Sequence, residues 1–126
     1  METVSQIEVR EAIREFGEAL AECDELRAVE DAERALRNDR EAMRLLSDYQ
    51  SAQQSIQMAR MWGRMVSKDE LDELKILEAK VNSNQIIRNL LDAQKRLQEL
   101  LVNLNAEISN ILGIDFASNS STGGCC

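Results

Sequence analysis

The chain has 126 residues, no histidine and no proline, and a formal net charge of −8 from 23 acidic and 15 basic residues. That length holds one domain, and the acidic balance opposes direct binding of a nucleic-acid backbone, which relies on clustered Lys and Arg. Without histidine, the usual general base, the Ser-His-Asp and Cys-His nucleophile systems and His-ligated zinc are excluded.

Proline breaks helix interiors. A chain with none, and with only one Trp, one Tyr and two Phe, reads as all-α with a core of Leu, Ile, Val, Met and Ala. Val9, Ile13, Phe16, Leu20 and Cys23 follow at helical spacing and predict a first helix from Thr3 to Cys23. A buried Cys23 thiol is expected to complete its apolar face. Asp24 is the expected N-cap of a short second helix through Val29, Ala32 and Leu36. Asn38-Asp39 breaks the pattern and opens a third, whose inner face runs through Ala42, Leu45 or Leu46, Tyr49, Ala52, Ile56 and Ala59 towards Trp62. It should end around Gly63 to Val66.

Ser67 and Glu70 have the spacing of a reciprocal capping box. They open a fourth helix with Leu71, Leu74, Leu77 or Glu78, and Val81, which Asn82-Ser83-Asn84 stops. In the fifth helix Leu90, Gln94, Leu97, Leu101, Leu104, Ile108 and Ile111 fall at alternating steps of 4 and 3, a coiled-coil-like seam. Gly113 stands where a left-handed residue closes a helix. The expected architecture is an all-α bundle of about five helices over residues 1–116, dominated by the first, third and fifth, with residues 117–126 a flexible Gly/Ser/Cys tail.

Partner surfaces are the next reading. The fifth-helix seam is longer than one small chain needs, which predicts a dimer interface through Leu90, Leu97, Leu101, Leu104 and Ile108. Met58, Met61 and Met65 surround the single tryptophan, Trp62. Methionine adapts to partner surfaces and tryptophan anchors interfaces, so Met61, Trp62 and Met65 either meet another chain or close the end of the bundle. Arg34, Arg37 and Arg40, and Arg60 with Arg64, read as partners of nearby Glu and Asp.

Chemistry is sparse. No glycine-rich phosphate loop is present, and the carboxylates lie off the apolar stripes, which leaves no inward-facing di-iron set. No enzyme is expected. No run of 18 apolar residues could cross a membrane. Met1-Glu2-Thr3 lacks the basic and apolar regions of a secretory signal. A cytoplasmic chain with reduced thiols is expected.

The sequence ends on Gly123-Gly124-Cys125-Cys126, and four readings compete for the two thiols. They could ligate zinc or an iron–sulfur cluster, with two tails of a dimer, or a tail and a partner, supplying four thiolates. They could be lipidated as in Rab-type GTPases, though no GTPase phosphate loop accompanies them. A disulfide between neighbours is strained. Or they are idle.

Leu112-Gly113-Ile114-Asp115-Phe116-Ala117, after a Leu-rich helix and before a Gly- and Cys-bearing tail, resembles the C-terminal signature of the YlbF/YmcA family. The stripe from Ala12 to Leu20, the segment Ala32 to Asp39 and the break from Asn82 to Ile87 are similar to that family's layout. The resemblance implies a small all-helical regulatory adaptor that forms dimers or hetero-oligomers with family members and a YaaT-like protein. It also implies action through RNase Y on mRNA maturation, affecting competence, sporulation and biofilm formation. A 4Fe–4S cluster shared between chains is implied as well, with Cys125 and Cys126 the positions that could carry it; cluster-binding members have three such cysteines, this tail two. The alternative from the residues alone is a metal- or redox-responsive helical dimer without a nuclease partner, or a structural partner with an idle tail.

Overall fold

The computed structural model describes residues 1–120, which form six helices and no strand. They are α1 (Val4–Ala21), α2 (Asp24–Arg37), α3 (Arg40–Met61), α4 (Lys68–Ser83), α5 (Gln85–Leu112) and α6 (Phe116–Ser120). The all-α reading holds, and the expected five helices are short by one. Residues 117–120, assigned to the tail from sequence, are helical because Asp115 caps them: its carboxylate accepts from the Ser118 amide at 3.3 Å and from the Ser118 hydroxyl at 3.0 Å.

Local signals place most helix ends. Thr3 and Gln6 close a reciprocal capping box on α1, satisfying two otherwise orphaned amides. Asp39 caps α3 through the Ala42 amide at 2.9 Å. Asn84 ends α4 with its amide on the Val81 carbonyl and starts α5 with its side chain on the Ile87 amide. One residue thus makes the whole corner. Gly113 adopts φ 75° after α5, and Gly63 φ 72° after α3, backbone that side chains with a Cβ resist.

Two local expectations need correction. Cys23, not Asp24, is the N-cap residue of α2, and its side chain makes no cap hydrogen bond. At α4 the Ser67 hydroxyl accepts from the Glu70 amide at 3.1 Å, but Glu70 does not reach back. Its carboxylate takes the Arg64 guanidinium instead, at 3.0 and 3.4 Å, because a planar fork on a carboxylate outcompetes a single neutral amide.

The core forms where four helices converge. Val29, Ala32 and Leu36 of α2, Ala42 of α3, Val81 of α4, and Ile87, Leu90 and Ala93 of α5 make one buried cluster, with Leu45, Leu46, Tyr49 and Leu97 against it. Small residues at Ala32, Ala42 and Ala93 let the helices approach closely; Ala42 is fully buried. Ile56 and Ala59 are buried farther along α3, which packs on α4. Three projections leave this core: the far end of the α3–α4 hairpin, the second half of α5 with α6, and α1. Sequence patterning put α1 in the core. In the structure α1 meets only α2 and has no buried residue.

Candidate functional site

The molecule's surface is out of proportion to its size. It exposes 10113 Å², whereas a compact monomer of 14.2 kDa exposes about 6,800 Å². Three apolar surfaces stand out in this excess, and large exposed apolar patches mark interaction sites.

The first is the α1 stripe. Val9, Ile13 and Phe16 are exposed, Ile13 at 61%; Leu20 and Cys23 are half-buried. The expectation of a buried Cys23 is corrected: the chain turns there into α2, and no helix covers the thiol fully.

The second lies on α5. The stripe read from sequence as one interface divides in two. Leu90 is buried in the chain's own core, and Leu97, half-buried, packs against that core. The reason is length: α2 has 14 residues and α5 has 28, so α2 covers only the first half of α5. Beyond it Leu101 is exposed, Leu104 and Ile108 are half-buried, and Ile111 is 85% exposed. At the end of this half, α6 folds back. The Ser109 hydroxyl accepts from the Phe116 amide at 2.9 Å and the Asn105 side chain from the Ala117 amide at 3.1 Å. Sequence reasoning missed Asn105 and Ser109 in this role; Asp115 with Ser118 three residues on was the available signal.

The third is the tip of the α3–α4 hairpin. Met61, Trp62 and Met65 are 82%, 80% and 89% exposed. Of the two readings open from sequence, closure of the bundle end is therefore not what these side chains do within the chain. Met58, Ala59, Trp62 and Arg64, with Ser51, Gln54 and Ser55, line a shallow groove of about 540 Å³. Its end is fixed by the Arg64–Glu70 ion pair across the loop.

Electrostatics adds little that is catalytic. Among the described residues Asp115 is the one carboxyl held below its usual range, by the backbone amide of Ser118 first and then the Ser118 hydroxyl, with Asn105 and Ala117 adding to it. A depressed folded-state value means that the hold on α6 is complete above the ordinary value of 3.8 and is lost as pH falls through the lower one. The protection of the Ser118 and Asn119 amides, measured as exchange relative to the unstructured rate at the same pH, is expected to hold at neutral pH and to fall on acidification below that range. Asp115→Ala should lack that protection at every pH. Equal protection in the variant at pH 7 would remove the cap from this account.

Arg34 pairs with Asp31 at 3.2 Å, as its helical spacing suggested. Among the described residues no three Cys, His, Asp or Glu side chains gather as a metal site, and no helix is long and apolar enough to cross a membrane. Cys125 and Cys126 lie outside the described residues.

Comparisons with known proteins agree with this geometry. The family model described as "Control of competence regulator ComK, YlbF/YmcA" matches residues 9–112. A UPF0342 protein of Streptococcus agalactiae is 34% identical over 89 residues, covering 71% of this chain and 80% of that protein. One from Shouchella clausii is 30% identical over 98 residues, 78% of this chain and 83% of its own length. Among solved structures, Bacillus subtilis RicA, crystallised in complex with RicF, superposes with a TM-score of 0.76 at 13% identity, over 85% of this chain and 95% of that one. A Bacillus stearothermophilus protein of unknown function (DUF964) gives 0.62 at 15% identity, over 83% and 92%. At such identities the two structures speak for the fold alone.

Proposed function

Because the chain belongs to the YlbF/YmcA family of competence-control regulators, the one its sequence resembles, we propose that it is a non-enzymatic cytoplasmic adaptor working by hetero-oligomerisation. Its partners in this reading are family members and a YaaT-like protein, and its target is RNase Y-dependent mRNA processing. The observation that carries the reading is the unpartnered apolar surface of α1, distal α5 and the Met61–Trp62–Met65 tip. Such surface on a small chain with net charge −8 suits protein contacts and not a grip on RNA. RicA was crystallised with RicF, and we extend that mode of association to this chain.

Cys125 and Cys126 are the proposed ligands of a shared cluster. Two soft thiolates per chain are half of a four-cysteine set, so two tails, or one tail and a partner, would complete it. An iron–sulfur cluster in that position would supply a redox- or iron-sensitive link between chains.

Affinity capture from native cytosol tests the adaptor reading. Recovery of a family member, a YaaT-like protein or RNase Y is the expected result, while a lone homodimer whose partners change only with oxidation would replace it by the redox-responsive alternative. Anaerobic purification with iron and sulfide analysis tests the ligands. The chain is purified alone and with its partners; iron is expected with the native tail in at least one of the two, and none after Cys125→Ser with Cys126→Ser. Iron unchanged in that variant would exclude this site.

A further inference from the structure

We propose that the tip of the α3–α4 hairpin is a contact site for an anionic lipid bilayer. Met61, Trp62 and Met65 enter the headgroup region, and Arg60 and Lys68 meet lipid phosphates. This goes beyond the adaptor reading: it gives the tip a lipid surface to meet and leaves α1 and distal α5 to protein contacts. The apolar side chains are held outward by the turn that ends α3. Gly63 takes a left-handed φ of 72°. Its amide donates to the Arg60 carbonyl at 3.3 Å, and the Arg64 amide donates to the Ala59 carbonyl at 2.8 Å. A helix ending with these two bonds usually folds back an apolar side chain from the second residue beyond its cap. Here that residue is Arg64. Its guanidinium goes to Glu70 and to the Met65 carbonyl, the latter at 3.4 Å. Polar groups therefore pin the turn, and Trp62 and Met65 stay outside.

Charge singles out what the tip meets. Residues 49–68 are the longest stretch of the chain without Asp or Glu; they carry three cations, and all 23 acidic side chains lie elsewhere. Arg64 is neutralised by Glu70. Among the described residues Arg60 and Lys68 make no ion pair. Asp69 is the unpaired carboxylate next to them, and Asp72 and Glu73 begin a turn farther along α4. On α3 the first carboxylate is Asp48, 14 residues behind Trp62, or about 21 Å along the helix. That exceeds two screening lengths at physiological salt, about 8 Å each, so most of the acidic body is screened from a surface at the tip. The outermost turn keeps a net positive charge on a chain of −8. Shape favours a bilayer over a folded partner. Side chains standing out from the end of a two-helix arm need a matching cavity in a rigid protein, whereas lipid headgroups close around any outline. Tryptophan is enriched at membrane interfaces, and an apolar anchor beside cations is the two-part signal that peripheral binding takes.

Trp62 is the chain's only tryptophan, so its emission reports on the tip alone. The test adds vesicles to the full chain, either phosphatidylglycerol and phosphatidylcholine in equal parts or phosphatidylcholine alone. A blue shift with the anionic vesicles, quenched by brominated acyl chains and weakened by high salt, is the expected result. Flotation with the same vesicles gives a readout that does not need the tryptophan. There Arg60→Gln with Lys68→Gln should weaken binding about 10- to 30-fold. Met61→Ser with Trp62→Ser and Met65→Ser should abolish it. All five positions are exposed, and circular dichroism checks that helicity is retained. No shift and no flotation with anionic vesicles would overturn the proposal, as would an equal response to phosphatidylcholine alone or unchanged flotation of the serine variant. A shift produced by a protein partner and by no vesicle would give the tip to a protein instead. Capture of partners by the unaltered chain is measured without lipid, so failure of the adaptor reading and failure of this contact are distinguishable.

Discussion

Ile87→Ala is expected to lower the free energy of unfolding by about 2–5 kcal/mol, the largest loss from any single truncation in this chain. Ile87 is only 2% exposed, among the described residues the one large side chain that is fully buried. It shares a cluster with Leu36 of α2, Ala42 of α3 and Val81 of α4, so the space it leaves is walled by four helices and cannot close by moving one of them. The core around it is small and partly alanine, which leaves few other methyl groups to carry the load. Ile87→Val removes one methylene and should cost about 0.5–1.5 kcal/mol. Urea denaturation at one fixed protein concentration measures both, since association would otherwise shift the midpoint. The midpoint should fall with the slope unchanged. A loss below about 1 kcal/mol for the alanine variant would mean that the convergence point of the helices is not where the stability resides.

Helix boundaries were legible because they depend on neighbours in sequence. Thr3 with Gln6, Asp39, Ser67, Asn84 and Gly113 each act within four residues of where they stand, and the same residues can be read without a fold. Which stripe meets which is not local. Val9, Ile13 and Phe16 carry the same periodic signal as Val29, Ala32 and Leu36, yet the first set is left outside and the second buried. A hydrophobic period states that a face will be covered and does not state by whom. Leu90 and Leu101 show the same limit within one helix, divided only by where α2 stops. The Met61–Trp62–Met65 tip was open for the opposite reason: exposure of an anchor type is a tertiary fact. Short α6 was missed because five residues carry no period, and only its Asp115 cap announced it.

Leu101→Glu is expected to dissociate the oligomer while leaving the single chain folded. In the free chain Leu101 is 44% exposed, so a carboxylate there keeps its water, and surface changes of that kind stay within about 0.5 kcal/mol of neutral. In a covered seam the same charge is stripped of water with only Glu99 and Glu107 on its own half-helix, both of its sign. An uncompensated charge in a buried contact costs about 3–5 kcal/mol, and each 1.4 kcal/mol is about tenfold in the dissociation constant, so association should weaken at least about 100-fold. A two-fold dimer meets that penalty twice. Sedimentation equilibrium at micromolar concentration should move from dimer to monomer, with helicity by circular dichroism retained. Asn103→Glu adds the same charge at an exposed position off the stripe and should sediment as the parent does. A Leu101→Glu chain that remains dimeric would place the interface elsewhere. One that becomes monomeric only by losing its helices would mean that the distal half of α5 is held within the chain itself.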